Sequence, residues 1–423
     1  MRNEKRKGKP ELLIPAGSLE VLKTAVIFGA DAVYIGGEAF GLRAKAKNFS
    51  MQEMKEGIAF AHARGVRVYV TANIFAHNGD LKAAADYFRE LNGIGPDALI
   101  ISDPGMFLLA KELCPGMELH ISTQANNTNY GTYRFWWDLG ARRVVSAREL
   151  TLAEIKEIRQ NIPQEMEIET FVHGAMCISY SGRCLLSNYF TGRDANRGAC
   201  THPCRWKYAV VEETRPGEYL PVYENERGTF LFNSKDLCMV EHIPELVDAG
   251  IDSFKVEGRM KTALYAATVA RTYRMAIDDY FESPDKYREH LPLYREEIVK
   301  CTCRRFTTGF FYAKPDQDAQ VYEENTYISE YVYLGTIEEV LPDGSCRITQ
   351  RNKFSVGDEV ELMRPDGQNV PVRVLDMKTE DGESVESCPH PQQALFLTLS
   401  EPGSQYDLLR VKMSLRSANS FGE

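Results

Sequence analysis

No stretch of this 423-residue chain approaches the roughly 18 consecutive apolar residues that a membrane-crossing helix needs. The basic opening, MRNEKRKGK, is followed by no apolar core, so it does not read as a secretory signal. A soluble, cytoplasmic protein with no membrane partner is the expectation. Positive charge is in deficit: 50 Lys and Arg face 60 Asp and Glu, a net charge of −10. That argues against a broad nucleic-acid surface, which leaves a basic footprint, but not against a local one. Catalytic signatures are missing too. There is no HExxH zinc-hydrolase motif, no GxSxG elbow, no P-loop and no GxGxxG turn. The cysteines show neither zinc-finger nor bacterial-ferredoxin spacing. There is no internal repeat and no low-complexity segment.

What is present is a globular composition, 43% hydrophobic, 26% charged and 10% aromatic, in a chain long enough for a large domain and a small one. Short β-rich runs alternate with helical stretches through the first two-thirds. Strands are expected at Glu11–Pro15, Asp31–Ile35, Val66–Thr71, Ala98–Ile101, Leu119–Ser122, Arg143–Ser146, Ile168–Val172 and Phe254–Val256. Ser18 stands as N-cap before the run through Leu22, Ala25 and Val26. Regular alternation implies a parallel sheet with helices outside. Eight units point to an α/β fold built as a (β/α)8 TIM-like barrel; periodicity alone leaves an open doubly wound sheet as the alternative. A helix over Thr262–Tyr280 closes this part.

From Tyr327 the pattern changes to short strands with turn signals such as Asp343-Gly344 and Asp366-Gly367. Tyr331–Leu334, Cys346–Thr349, Glu359–Leu362, Val370–Val374, Leu395–Leu399 and Leu408–Val411 predict a small antiparallel β-barrel. Docking, substrate presentation and plain stabilisation are its candidate roles. The expected division is 1–280 for the TIM-like barrel, 281–326 for a helical connector and 327–423 for the C-terminal β-barrel domain.

Half of the ten cysteines crowd into one interval. Cys177, Cys184, Cys200, Cys204 and Cys238 lie in a Cys-, Gly- and Arg-rich insertion, 174–251, between the seventh and eighth units. A strand-like stretch, Trp206–Glu212, lies there too. Long insertions at barrel ends are usually functional. In a cytosolic chain, clustered thiols mean metal or redox chemistry more often than disulfides. Dispersed loops can supply the four thiolates of an iron–sulfur cluster. Unrelated reduced thiols are the other reading, and the one for Cys114, Cys301, Cys303, Cys346 and Cys388. A Cys177–His173 dyad is the nucleophilic alternative, since a thiolate needs a nearby base.

Reacting groups of (β/α)8 enzymes gather at the C-terminal strand ends. Here those ends carry Gly17-Ser18, Gly36-Gly37, Asn73, Ser102-Asp103, Thr123-Gln124, Arg148-Glu149, His173 and Glu257-Gly258-Arg259. Asn73 and Gln124 are candidate pocket polar groups, and His173 and Glu257 candidate catalytic groups. Arg43 and Arg259 could hold a carboxylate in a bidentate fork, or form ordinary ion pairs. Arg193, Arg197, Arg205 and Lys207 flank the cysteines, as a nearby polyanion would require.

Glu169, Phe171, Gly174, Ala175, Met176 and Cys177, followed by Gly182, Cys184, Leu186 and Ser187, fill every fixed position of E-x-F-x-x-G-[SA]-[LIVM]-C-x4-G-x-C-x-[LIVM]-S. This resembles the signature of the collagenase-like peptidases, family U32. Leu13–Gly17, Asp31–Gly36, Leu42–Phe49, Ser122–Asn129, Lys255–Lys261 and Arg305–Phe310 also look like family blocks, so the resemblance spans nearly the whole chain. It implies one of three activities: RNA hydroxylation, peptide cleavage, or a non-catalytic, cluster-binding role beside a paralogous family subunit. A barrel with one small C-terminal barrel resembles the branch that hydroxylates the tRNA wobble uridine to 5-hydroxyuridine with prephenate as co-substrate. The resemblance implies a 4Fe-4S cluster on Cys177, Cys184, Cys200 and Cys238, with Cys204 as the alternate ligand. Prephenate is a small dicarboxylate, which gives Arg43 and Arg259 a physical rationale.

Overall fold

The computed structural model describes residues 8–38, 40, 48–177, 179–195, 199–206, 224–225, 228–229, 234–313, 328–390 and 392–413. Seven strands run in chain order around one sheet: β1 (Glu11–Pro15), β2 (Ala32–Gly36), β3 (Arg67–Ala72), β4 (Ala98–Ile101), β5 (Glu118–Ile121), β6 (Arg143–Val145) and β7 (Glu167–Ala175). Between them lie α1 (Leu19–Ile27), α2 (Met51–His62), α3 (Leu81–Ile94), α4 (Pro104–Leu113), α5 (Tyr130–Asp138) and α6 (Leu152–Gln160). Later strand β11 (Ser253–Val256) pairs in parallel with both β1 and β7 and closes the ring. The expected TIM-like barrel is therefore closed, and the open sheet is excluded.

Local chemistry explains the helix starts. Ser18 Oγ accepts from the Val21 N–H, as its position before the apolar run suggested. Ser50 with Glu53, and Thr151 with Glu154, form full capping boxes.

Most of the barrel strands are three to six residues long, but β7 has nine. Its end overshoots the rim, and His173–Ala175 are paired antiparallel by β10 (Asp236–Cys238). β10 in turn pairs with β12 (Phe306–Thr307). Neither flanking strand was expected. Two or three residues are too few to show a period, and β12 falls where the sequence suggested a helical connector. The helix expected over Thr262–Tyr280 is α9 (Ala263–Glu282), with Thr262 as its N-cap, and α10 (Pro284–Ile298) follows in the connector. The insertion also holds α7 (Leu186–Thr191), a short pair β8 (Glu224–Asn225) and β9 (Gly228–Thr229), and α8 (Ile243–Asp248) before β11. Of the strand-like stretch expected at Trp206–Glu212, all but Trp206 lies outside the described residues.

The lower barrel interior is charged, where branched aliphatics usually fill such a core. Arg143, 2% exposed, bonds Glu167 Oε2 (2.6 Å), Glu11 Oε1 (2.6 Å) and Glu169 Oε2 (2.9 Å). Lys255 Nζ reaches Glu169 Oε1 at 2.6 Å and lies 4.5 Å from the Tyr34 ring centre. Burial alone would raise Glu169, but Lys255 and Arg143 hold its carboxyl below the usual range.

The C-terminal strands close a second barrel in the order β13-β14-β17-β16-β15-β18. These are β13 (Tyr331–Val340), β14 (Cys346–Thr349), β15 (Glu359–Met363), β16 (Asn369–Thr379), β17 (Ala394–Leu399) and β18 (Leu408–Lys412), every pairing antiparallel. Glu297 of α10 ties the barrels together. Its carboxylate lies 2.5 Å from Arg271 of α9 and 2.8 Å from Arg410 of β18, and accepts from Asn369 Nδ2 at 2.9 Å.

Candidate functional site

The C-terminal strand ends form a connected polar rim. Arg259, which follows β11, is 7% exposed and donates from Nη1 to Thr71 Oγ1 on β3 at 3.1 Å. Gly36 at the end of β2 makes room for it. A Cβ there would stand 1.8 Å from Arg259 Nη1. Just beyond β3, Asn73 donates from Nδ2 to Ser122 Oγ at 3.2 Å, and its C=O accepts from Ser102 Oγ at 2.9 Å. Ser122 Oγ also accepts the Gln124 N–H at 3.4 Å. Three of the four expected substrate-binding residues, Arg259, Asn73 and Gln124, thus stand around one rim. The fourth, Arg43, lies outside the described residues.

Two side-chain atoms on this rim are buried acceptors with no partner, Asn73 Oδ1 and Gln124 Oε1. The Tyr87 hydroxyl is buried and unpartnered as well, 2.2 Å from where a Cβ on Gly37 would be. A buried polar group without a partner costs about 1–3 kcal/mol. One cation beside acceptors awaiting donors suits a small molecule bearing a carboxylate together with hydroxyl or N–H groups. Tyr87 escaped the sequence reading because it sits on α3, far along the chain from any strand end.

The cysteine-bearing insertion folds onto this same end. Gly182 at φ +75° packs against Phe75 and Gln124, where a Cβ would meet them at 2.9 and 3.1 Å. Ser181 C=O accepts from Asn126 Nδ2 (2.9 Å), and Arg183 Nε donates to Asn126 Oδ1 (2.7 Å). Cys184, next in the chain, is thereby set over the ends of β3 and β5. Cys177 follows β7 by two residues and is exposed. Cys238 ends β10, opposite His173. Asp236 accepts from Arg304 Nε (2.9 Å), Nη2 (2.7 Å) and backbone N–H (3.0 Å), which fixes β10 to the segment leading into β12. Asp236 and Arg304 carried no sequence signal, because 68 residues separate them.

All ten cysteines are free, and their exposures differ. Cys114, Cys301, Cys303, Cys346 and Cys388 are buried, and burial raises each thiol above its ordinary value. Cys177, Cys184, Cys200, Cys204 and Cys238 are exposed or half-exposed. Among them Cys238 is held up to about 12 by burial, opposed by the Val240 N–H and the Tyr273 hydroxyl. Cys200 Sγ accepts the His202 N–H at 3.4 Å. Backbone N–H donors aimed at sulfur suit thiolate ligands of a cluster. Among the described residues, no three His, Cys, Asp or Glu side chains converge on a point where one metal ion would be held. A cubane asks for something different, four thiolates around its faces.

His173 takes a different place from the one expected of a catalytic group. The register of β7 against β11 shifts at Lys255/Val256, and the imidazole packs among Tyr265, Tyr273 and Phe306 with ring centres 5.6–6.0 Å away. It is 1% exposed, and burial lowers it to about 4, so it is neutral near pH 7. Glu257 stands near the rim, 3.7 Å from Arg148 Nη2. Arg193 is exposed beside α7. Arg197, Lys207 and the Arg205 side chain lie outside the described residues.

The chain is 41% identical over 397 residues to tRNA hydroxylation protein P1 of Bacillus subtilis, covering 93% of this chain and 92% of that one. It is 38% identical to tRNA hydroxylation protein P of Escherichia coli, covering 93% and 94%. B. subtilis tRNA hydroxylation protein P2 is 35% identical over 306 residues, which is 98% of its length and 72% of this chain. Among the described residues no helix is long and apolar enough to cross a membrane. Residues 17–321 match peptidase family U32 and residues 329–410 match the family's C-terminal domain, so the chain belongs to family U32.

Proposed function

We propose that this chain is an RNA-modifying enzyme that hydroxylates the wobble uridine of tRNA to 5-hydroxyuridine. The observation that carries the reading is similarity along 93% of the chain to two proteins named for tRNA hydroxylation. Cys177, Cys184, Cys200 and Cys238, with Cys204 as alternate, would hold a 4Fe-4S cluster above the rim. The accessibility of Cys177, Cys184 and Cys200, beside the burial of the five thiols outside the insertion, supports that set. When bound, the cluster would supply one-electron chemistry.

The chain's own groups do the rest. Arg259 binds a carboxylate of a small co-substrate, for which prephenate is the candidate. Asn73 and Gln124 orient it through acceptors that are otherwise unpartnered. A peptidase reading would need His173 to serve Cys177. That imidazole is enclosed by aromatic rings, while the thiol faces solvent.

Mass spectrometry of tRNA nucleosides from a strain lacking the gene tests the proposal. The expected result is loss of a uridine carrying one extra oxygen, restored by the wild-type gene. An unchanged nucleoside profile overturns it. Protein purified without oxygen is expected to be brown with about four irons per chain. Cys184→Ser is expected to lose both colour and iron.

A further inference from the structure

We infer that the face built by Tyr189, Phe190 and Trp206, flanked by Arg193, is a stacking platform for the unpaired bases of an RNA loop. This rests on the RNA reading above and adds how the RNA is gripped.

The two sides of α7 are reversed. Ser187 is fully buried, where its Oγ accepts the Thr201 N–H at 3.0 Å and lies 3.1 Å from Thr201 Oγ1. The aromatic residues of the same helix point outward, Tyr189 at 82% exposure and Phe190 at 48%. A globular helix ordinarily buries its apolar stripe and shows its polar side to water. Trp206, 40% exposed, extends the row. The ring centres of Tyr189 and Phe190 are 5.2 Å apart, and those of Phe190 and Trp206 are 6.2 Å apart. The rings therefore form one continuous surface next to the insertion cysteines.

Charge decides what covers it. From Cys177 to Trp206 the sequence holds four arginines, Arg183, Arg193, Arg197 and Arg205, and one acid, Asp194. That is a net charge of +3 in a chain whose total is −10. Two copies meeting here would bring together two segments of like net charge, which disfavours a symmetric dimer through this surface. A polyanion is favoured. Double-stranded RNA is gripped by its shape, 2′-hydroxyls and phosphates and has no use for exposed rings. Splayed loop bases stack on aromatic side chains whatever their identity, because every base has a π-face. The platform thus fits an unpaired loop.

The test uses full-length, cluster-loaded protein and two labelled RNAs, a stem–loop and a fully paired duplex of the same length. Tyr189→Ala, Phe190→Ala and Trp206→Ala are each expected to weaken stem–loop binding by roughly 5- to 150-fold. The slope of affinity against salt is expected to stay the same, because no phosphate contact is removed. Tyr189→Phe is expected to restore most of the affinity. Duplex binding, iron content and melting temperature are expected to be unchanged.

Wild-type stem–loop affinity in the triple variant overturns the platform, and leaves the hydroxylation reading intact if tRNA is still modified. A wild-type protein that binds no RNA and modifies none overturns both. A triple variant that changes only the sedimentation of the protein, from dimer to monomer, assigns the face to a second copy and overturns the platform.

Discussion

Two single residues decide whether the rim can hold an anion. Gly36 has no room for even one carbon beyond its Cα, since that carbon would sit 1.8 Å from Arg259 Nη1. Gly36→Ala is expected to push the guanidinium off Thr71 and weaken dicarboxylate binding at least as much as removing the fork. Arg259→Lys is expected to weaken it by about 10- to 100-fold, because a lysine cannot make the bidentate contact and charged hydrogen bonds are worth about 1.5–3 kcal/mol. Calorimetric titration with prephenate reads both variants. Unchanged affinity in both would assign Arg259 to structure alone. Arg259, Asn73 and Gln124 were legible from the sequence because barrel strands announce their own ends. Tyr87 was not. It reaches the rim from a helix, and its position depends on packing against Gly37.

Among elements, the three-residue β10 depends on distant chain, being paired with β7 and β12 and clamped by Arg304. Asp236→Asn would remove the carboxylate charge that Arg304, 1% exposed, contacts through Nε, Nη2 and its backbone N–H. Breaking one partner of such a buried pair costs about 3–5 kcal/mol. The expected outcome is local opening of β10, read as faster alkylation of Cys238 with the other insertion thiols unaffected. Equal alkylation rates would show that β7 alone holds the strand. All eight barrel strands and all six strands of the second barrel stood in the sequence, since each is a buried or alternating run between turn signals. The register shift that turns His173 toward α9 was not legible. A one-residue slip reverses the face of every following side chain, and composition does not mark it.

At the scale of the molecule, the Glu297 carboxylate bridges the two barrels, beside the contacts of Glu20 with Tyr333 and Arg351. Burial would raise Glu297, but Arg410, Arg271 and Lys300 hold it down to about 2. A depressed carboxyl contributes stability that is complete above its ordinary value of 4.5 and lost as pH falls toward 2. The shift corresponds to about 3 kcal/mol. Wild type is therefore expected to lose melting temperature steeply between pH 4.5 and 2. Glu297→Gln is expected to lower it already at pH 7, with a flatter acid profile. Parallel profiles for the two proteins would place the acid sensitivity elsewhere. The network was hidden from the sequence because Arg271, Glu297 and Arg410 belong to three elements that meet only after both barrels close.

The clamp between Asp236 and Arg304 also fixes an order in time. At roughly 5–20 residues per second, the ribosome needs on the order of 3–14 seconds to travel the 68 residues between them. During that interval Cys177, Cys184 and Cys200 have already been made, while the strand bearing Cys238 can pair through β7 alone. Any cofactor delivered early would meet three sulfurs and a loose fourth. On the proposed ligand set, cluster assembly would follow the synthesis of Arg304, a residue outside that set.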